Sequence, residues 1–181
     1  MIETTRLTLR PFERRDAEAL PPIADGMGMA GALIQGPHGL ALARELIASF
    51  MARPAHSPCF AICRKDGTLM GAASYGTLRA EPVPELGYWL GSGFWRKGYG
   101  REAATAITAH AFRQVNCPGL QAECRIGNEA SRRILTGLGF TPTGTRISTT
   151  ERPGKATEME CFHLPRTVWL AQRHQPGQIL P

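Results

Sequence analysis

The chain has 181 residues, of which 43% are hydrophobic and 20% are charged, with a formal net charge of +6 at pH 7. Disordered chains are poorer in apolar residues, and a membrane span needs an apolar run of about 18 residues that this sequence lacks. The first residues also lack the apolar core of an export signal. We therefore expect a cytoplasmic globular protein that makes no contact with a membrane.

Neither the charge nor the cysteines indicate a polymer or metal partner. No run of Lys and Arg exceeds three residues, so the sequence predicts a mildly basic surface rather than nucleic-acid binding. The odd number of cysteines predicts free thiols. No second ligand pair follows Cys59 and Cys63 at the spacing of a zinc site, and we expect no metal.

The first half of the chain predicts strands and helices interrupted by a glycine-rich loop at 26–39. Alternating polar and apolar residues indicate strands, whereas apolar residues at helical spacing indicate helices. A turn at Lys65-Asp66-Gly67 separates two apolar runs and predicts a hairpin. The predicted elements are a strand at 6–10, a helix at 14–24 capped by Asp16, a helix at 40–52, and strands at 60–63, 69–75 and 85–90.

The second half predicts two helices and three further strands. The longer helix, 99–115, repeats apolar residues at helical spacing. The shorter helix, 129–138, has Asn128 as N-cap and Gly139 as C-cap. Its predicted buried face is Ala130, Ile134, Leu135 and Leu138; the strands are 120–124, 143–150 and 156–163, the last two forming a hairpin around 152–155. We predict one mixed α/β domain over 1–170 and a tail over 171–181.

The segment from Trp89 to Ala104 carries the clearest chemical signal, because a strand passes through a short loop directly into a helix. The first turn of a helix leaves about four backbone N–H groups unpaired, at the positive end of the helix dipole. Gly98 and Gly100 let a ligand approach this backbone, and three cations flank it: Arg96, Lys97 and Arg101. The pattern predicts a pyrophosphate site, although the glycines alone would also suit a plain tight turn.

A second element, Asn128-Glu129-Ala130-Ser131, opens the next helix. Asn is a frequent helix cap, and Ser and Glu suit a first turn. These four residues alone therefore fit either a structural cap or part of a ligand site.

Taken together, the motifs resemble the GNAT acetyltransferases, and most closely their RimJ/RimL-type branch. The resemblance spans about residues 3–169. It is carried by Glu85-Leu-Gly-Tyr-Trp-Leu, Trp95-Arg-Lys-Gly-Tyr-Gly-Arg-Glu-Ala, Asn128-Glu-Ala-Ser and Leu138-Gly-Phe, with Glu3-Thr-Thr-Arg-Leu-Thr-Leu-Arg-Pro before them and Cys161-Phe-His-Leu-Pro-Arg-Thr-Val-Trp after them.

The resemblance implies a mostly antiparallel sheet, with helices on both faces and one parallel pair, 85–90 and 120–124, splayed to admit acetyl-CoA. It implies that the pantetheine amides pair with Trp89 and Leu90 and bond to Asn128. The pyrophosphate would lie on the amides of Arg96, Lys97, Gly98, Tyr99, Gly100 and Arg101. Two positions depart from the family: Trp95 replaces its Gln or Arg, and Arg96 replaces a common glycine. The resemblance implies that the backbone amides would bind the phosphates despite both changes.

For catalysis, the resemblance implies a backbone N–H near Tyr88 or Trp89 for the oxyanion and Ser131 as proton donor to the leaving thiolate. No tyrosine follows residue 128, where the family often places its general acid. Glu85 is the proposed base, acting through water. Glu123 and Glu102 are weaker candidates.

The implied activity is transfer of an acetyl group from acetyl-CoA to a primary amine, by direct attack in a ternary complex. The acceptor is a protein N-terminus or a small-molecule amine, and the loop at 26–34 could line its pocket. An alternative on the same scaffold is a non-catalytic regulator that binds acyl-CoA. The predicted hairpin at 143–163 presents an edge suited to a homodimer.

Overall fold

The structure, a computed structural model, describes residues 1–27, 33–77, 83–148 and 156–173. The predicted loop at 26–39 and the turn at 152–155 therefore lie partly or wholly outside the described residues. The strands are β1 (Ile2–Glu3), β2 (Leu7–Pro11), β3 (Cys59–Arg64), β4 (Leu69–Gly76), β5 (Glu85–Leu90), β6 (Gly119–Arg125), β7 (Thr141–Ser148) and β8 (Thr157–Pro165). The helices are α1 (Asp16–Ala19), α2 (Gly39–Met51), α3 (Tyr99–Gln114), α4 (Glu129–Gly137) and α5 (Arg166–Arg173), with 3₁₀ turns at Pro21–Met27 and Ser92–Phe94.

In the described ranges these eight strands form one sheet in the order β1-β2-β3-β4-β5-β6-β8-β7. Neighbouring strands are antiparallel except β5 and β6, which run parallel. The chain crosses from β5 to β6 through α3, as a parallel pair requires. The predicted mixed sheet with one parallel pair is confirmed.

Each face of the sheet is covered by helices and has its own apolar core. One core places Ile107 and Phe112 of α3 and Leu135 of α4 against the sheet. The other places Ala17 of α1 and Ile47 of α2 against the opposite face. The alternation of side chains along each strand divides the apolar residues between the two cores, and the prediction of helices on both faces is confirmed.

Two of the predicted turns have a glycine in the left-handed conformation at the expected position. Gly67 has a φ of +89° in the β3–β4 hairpin, a conformation that glycine adopts without a steric penalty. Gly139 follows α4 with a φ of +90°, and the Phe140 amide donates to the Leu135 carbonyl at 3.1 Å. This is the C-terminal motif that the glycine predicted.

The helix predicted over 14–24 is wrong in extent. α1 ends at Ala19, and a 3₁₀ turn begins at Pro21. Pro21 and Pro22 have no backbone N–H to donate, so the α-helical ladder cannot continue through them. Asp16 is not the N-cap either, because the cap position is Arg15 and the Asp16 carboxylate instead bonds Arg10.

Two further differences concern the last helices. Ala130 is exposed, whereas Leu135 is buried and Ile134 and Leu138 are half-buried. Helix α5 was not predicted; it includes the first three residues of the expected tail, while 174–181 lie outside the described residues. Its Trp169 stacks on Phe112 of α3, with ring centroids 4.7 Å apart.

None of the five cysteines, all of which lie in the described ranges, forms a disulfide, and four of them are buried. None of the helices in the described ranges combines the length and the hydropathy that crossing a membrane requires.

A partly buried ion pair ties α1 to β2. The two Arg10 guanidinium nitrogens donate to the Asp16 carboxylate at 2.6 and 2.8 Å, and the Glu13 amide donates to the same group at 2.7 Å. Burial alone would raise the pKa of Asp16, but the bonds from Arg10 and Glu13 outweigh it and the pKa is lowered. Asp16 is therefore ionised at neutral pH.

We expect Asp16→Asn to lower the free energy of unfolding by about 2 kcal/mol at pH 7, since it breaks charge-assisted bonds at a buried position. Because the folded pKa lies below the unfolded value of about 3.9, the contribution is complete above that pH and is lost as the pH falls towards the folded pKa. Urea unfolding at pH 7 and pH 5 should give the same difference, and the difference should shrink below about pH 4.

The control is Glu13→Gln, because Glu13 lies 3.9 Å from Arg10 and is nearly half exposed. Exposed pairs of this kind contribute about 0.5 kcal/mol or less. Equal destabilisation by the two variants would contradict the stabilising role of Asp16.

Candidate functional site

The parallel strands β5 and β6 pair over only a short length. Their register joins Glu85 to Gln121 and Leu86 to Ala122, and no pairing continues beyond Leu86 although β5 runs to Leu90 and β6 to Arg125. The ends of the two strands therefore diverge. This gap is the splayed pair that the family resemblance implied.

The backbone of β5 presents two residues to the gap. The Gly91 amide donates to the Met70 carbonyl of β4 at 2.9 Å. Backbone groups point to alternate sides along a strand, so Trp89 also pairs towards β4, in register with Ala72. The N–H and C=O groups of Tyr88 and Leu90 consequently point towards the gap. The expected pairing of pantetheine with the Trp89 backbone is therefore wrong, because those backbone groups face β4.

The loop after β5 leads into α3, and the N-terminus of α3 lies at the end of this gap. Gly98 caps α3 with a φ of +81°, and Arg96 also has a positive φ of 59°. The first helical bond runs from the Glu102 amide to the Gly98 carbonyl at 3.1 Å. The amides ahead of that bond have no helical acceptor, and they belong to Tyr99, Gly100 and Arg101. Together with the positive-φ turn they form a concave array of N–H donors that suits an anion.

Side chains of the loop fold back onto its own backbone. The Trp95 indole Nε1 donates to the Leu90 carbonyl at 2.7 Å, although the residue is 54% exposed. The Lys97 ammonium donates to the Gly93 carbonyl at 2.8 Å. Trp95, where the family pattern has Gln or Arg, therefore closes the loop onto β5. The side chains of Arg96 and Arg101 are exposed beside the array.

The start of α4 meets the gap from the β6 side. The Asn128 side-chain oxygen accepts the Ser131 amide at 3.2 Å, so the predicted N-cap is confirmed. The Ser131 hydroxyl lies 3.0 Å from the phenol oxygen of Tyr88. Burial raises the pKa of Tyr88 to about 12, with the Ser131 bond acting in the opposite direction. Tyr88 is thus a neutral phenol at pH 7, linked by a hydrogen bond to the first turn of α4.

Glu85 lies on the other face of the sheet. Tyr88 packs on the core beneath α3, whereas Trp89 packs on the core beneath α1 and α2, and residues two apart along a strand share a face. Glu85 therefore shares the face of Trp89 and is separated from Ser131 by the sheet.

Arg146 of β7 is a residue of this face that the sequence analysis missed. Its guanidinium makes a forked bond to both carboxylate oxygens of Glu123. The Glu123 bond, with a smaller effect of the Glu85 charge, raises the pKa of Arg146. No motif marks Arg146 in the sequence, because its place depends on strand β7 lying two strands away from β6. The structure thus brings Glu85, Glu123 and Arg146 into one charged group.

The two weaker candidate carboxylates are both ion-paired, Glu123 to Arg146 and Glu102 to Arg6. The predicted acceptor loop at 26–34 falls largely on residues 28–32, which lie outside the described residues.

The sequence model of the family described as "Acetyltransferase (GNAT) domain" matches residues 6–141. The chain is 25% identical over 171 residues to the uncharacterised N-acetyltransferase p20 of Bacillus licheniformis, with 89% of this chain and 93% of that protein covered.

Two solved structures show the same fold. One is from Vibrio cholerae and is provisionally named a ribosomal-protein-serine acetyltransferase; its TM-score is 0.73 at 24% identity, over 91% of this chain and 96% of that one. The other is the spermidine N-acetyltransferase of Vibrio cholerae in complex with CoA and spermine, with a TM-score of 0.72 at 15% identity, over 92% and 99% of the two chains. The family match covers well over half of the chain, and the chain therefore belongs to the GNAT family of acetyltransferases, whose acetyl donor is acetyl-CoA.

Proposed function

We propose that this protein is a RimJ/RimL-type N-acetyltransferase that moves the acetyl group of acetyl-CoA to a primary amine by direct attack in a ternary complex. The observation that carries the proposal is the gap between β5 and β6, which ends at the N-terminus of α3. A long, thin cofactor with a diphosphate at one end suits such a gap, because the strand edges bind amides and the helix start binds phosphate.

The cofactor would lie along the gap with its diphosphate on the loop. The amides of Arg96, Lys97, Gly98, Tyr99, Gly100 and Arg101 would hold the phosphates. The Leu90 N–H would pair with a pantetheine carbonyl, since the Leu90 carbonyl already accepts the Trp95 indole. Asn128 would bond pantetheine with its side-chain NH₂, because its oxygen caps α4. Trp89 would contribute its ring on the face of the sheet that also carries Glu85, from which the amine would approach.

The acetyl group would lie where the amine can approach from one face and the proton donor from the other. The Tyr88 N–H points towards the gap and would stabilise the tetrahedral oxyanion. Ser131 would protonate the leaving thiolate as the neutral phenol of Tyr88 passes its proton to Ser131, and Tyr88 would regain a proton from solvent when CoA leaves. A thiol has a pKa near 8.5, so the thiolate is a fair leaving group and this relay supplies a modest acceleration.

Glu85 would remove a proton from the attacking amine through water. An α-amine has a pKa of about 8, so about a tenth is neutral at pH 7, whereas a lysine amine with a pKa near 10.4 is almost entirely charged. A protein N-terminus or another amine of low pKa therefore demands less of the base. The provisional name of the ribosomal-protein relative supports a protein N-terminus as acceptor, and the spermidine enzyme supports a small polyamine.

The test of the proposal is a panel of amines scored by thiol release from acetyl-CoA. We expect release with at least one α-amino peptide or small primary amine, and tight binding of CoA without an acceptor. Binding of CoA with no turnover on any amine would favour the acyl-CoA-binding regulator. No binding of CoA would contradict both functions.

We expect Glu85→Gln to lower kcat by roughly 100-fold for an acceptor with a lysine-type amine and by less than about tenfold for an α-amine. The reason is that the α-amine is already partly neutral at pH 7. The measurement is initial rate against pH for both acceptors, with CoA affinity measured in parallel. Glu13→Gln is the matched control, since Glu13 lies at the surface before α1. A loss that is the same for both acceptors would argue against Glu85 as base.

We expect Ser131→Ala and Tyr88→Phe each to lower kcat by about tenfold, and the double variant to lower it no further, since the two hydroxyls act as one relay. The KM for acetyl-CoA should change little. The control is Tyr75→Phe, which removes a phenol bonded at 3.1 Å to His110 of α3 instead of to α4. Multiplicative losses in the double variant would show that the two residues act separately.

A further inference from the structure

We propose that Arg6, immediately before β2, is a positioning residue that sets the shape of the phosphate-binding loop. This inference rests on the proposed function, because it concerns how the loop at 96–101 becomes ready for a diphosphate. Its basis is a set of contacts between the N-terminal segment and the start of α3, two regions that the sequence analysis treated separately.

Arg6 touches the loop and the helix at once. Its Nη1 donates to the Lys97 carbonyl at 2.9 Å, immediately before the capping glycine. Its Nε donates to the Glu102 carboxylate at 2.7 Å, and its backbone N–H donates to the other Glu102 oxygen at 2.9 Å. The guanidinium therefore joins the loop backbone to the first full turn of α3 on either side of the free amides.

Neighbouring groups hold Arg6 in this position. The Thr4 hydroxyl donates to the Glu102 carboxylate at 2.6 Å. The Arg6 guanidinium carbon lies 4.7 Å from the centre of the Tyr99 ring, a cation–π distance. A Cβ at Gly98 would lie 3.2 Å from the Arg6 Nη2, so the side chain lies directly against the left-handed glycine. Thr4, Arg6 and Glu102 thus form a brace behind the loop.

These contacts indicate that Arg6 acts by holding the loop and does not itself bind phosphate. Its Nε and Nη1 donate to Glu102 and to the Lys97 carbonyl, and its Nη2 lies 2.7 Å from the same Glu102 carboxylate. Burial alone would raise the pKa of Glu102, but bonds from Thr4 and Arg6 outweigh it and the pKa is lowered, so the carboxylate is charged at pH 7. An unpaired carboxylate here would repel a diphosphate, and Arg6 neutralises it.

We expect the brace to lower the entropic cost of ordering the loop when CoA binds. Arg96 has a positive φ, which is unfavourable for a residue with a side chain and persists only where its surroundings enforce it. The bond from Arg6 to the Lys97 carbonyl helps to hold this conformation, because Lys97 directly follows Arg96. If the brace is removed, the loop samples other conformations, and CoA must order it again at the expense of affinity.

The experiment compares wild type, Arg6→Ala, Arg6→Lys and a control, Arg15→Ala. Arg15 is an exposed arginine paired with Glu13, so its loss changes the net charge equally while leaving the loop untouched. Calorimetry gives the Kd of CoA, steady-state kinetics give KM and kcat, and thermal unfolding gives Tm. Hydrogen exchange of the Glu102 amide, which donates to the Gly98 carbonyl at the end of the loop, reports the order of the loop in the free protein without any cofactor.

We expect Arg6→Ala to raise the Kd of CoA and the KM for acetyl-CoA about tenfold, to change kcat less than twofold, and to speed exchange of the Glu102 amide. Arg6→Lys should behave almost like Arg6→Ala, because an ammonium cannot span the carbonyl and the carboxylate as a guanidinium does. If Arg6→Ala does not fold, Arg6→Lys alone carries the test. Arg15→Ala should match wild type.

Full recovery of affinity in Arg6→Lys would overturn the proposal in favour of a charge effect. A lower Tm with unchanged Kd and unchanged exchange of the Glu102 amide would overturn it in favour of a purely structural role. If wild type itself does not bind CoA, the proposed function fails, and the exchange rates alone decide whether Arg6 orders the loop.

Discussion

The structure of the site depends on the early end of one strand pairing. β5 and β6 share two register pairs and then separate, which leaves the backbone of Tyr88 and Leu90 without a neighbouring strand. Buried backbone groups require partners, so such a gap is costly unless a ligand or solvent satisfies it. The cost is localised, because β5 remains fully paired to β4 on its other side over its whole length.

The sheet also separates the two halves of the proposed chemistry. Tyr88 and Ser131 lie on the face beneath α3 and α4, whereas Glu85 and Trp89 lie on the opposite face. A single strand can supply groups to both sides because its side chains alternate. In the proposed mechanism, two proton transfers of opposite direction would thus be served by residues on opposite faces of one strand, without those residues touching each other.

The sequence predicted the parts of this arrangement that local chemistry determines. Gly67, Gly98 and Gly139 all adopt positive φ at the turns where glycine was expected, and Asn128 caps α4. Periodicity failed where local rules compete, as at the pair of prolines that cut short the helix predicted over 14–24. It also missed α5, whose packing on Phe112 is a tertiary contact. Arg146 and Arg6 could not be assigned from spacing, because each meets a carboxylate that is far away in the sequence.

The bond between the Arg6 amide and the Glu102 carboxylate spans 96 positions of the chain. Contacts of such long range form only after the intervening segments have found their places, since closing a large loop costs entropy before any contact repays it. During synthesis the helix that follows the loop would therefore exist before its brace is engaged. The affinity for the cofactor would accordingly reach its full value late in folding. A measurement of CoA affinity would therefore detect incomplete docking of the N-terminal strands more sensitively than a measurement of helix content.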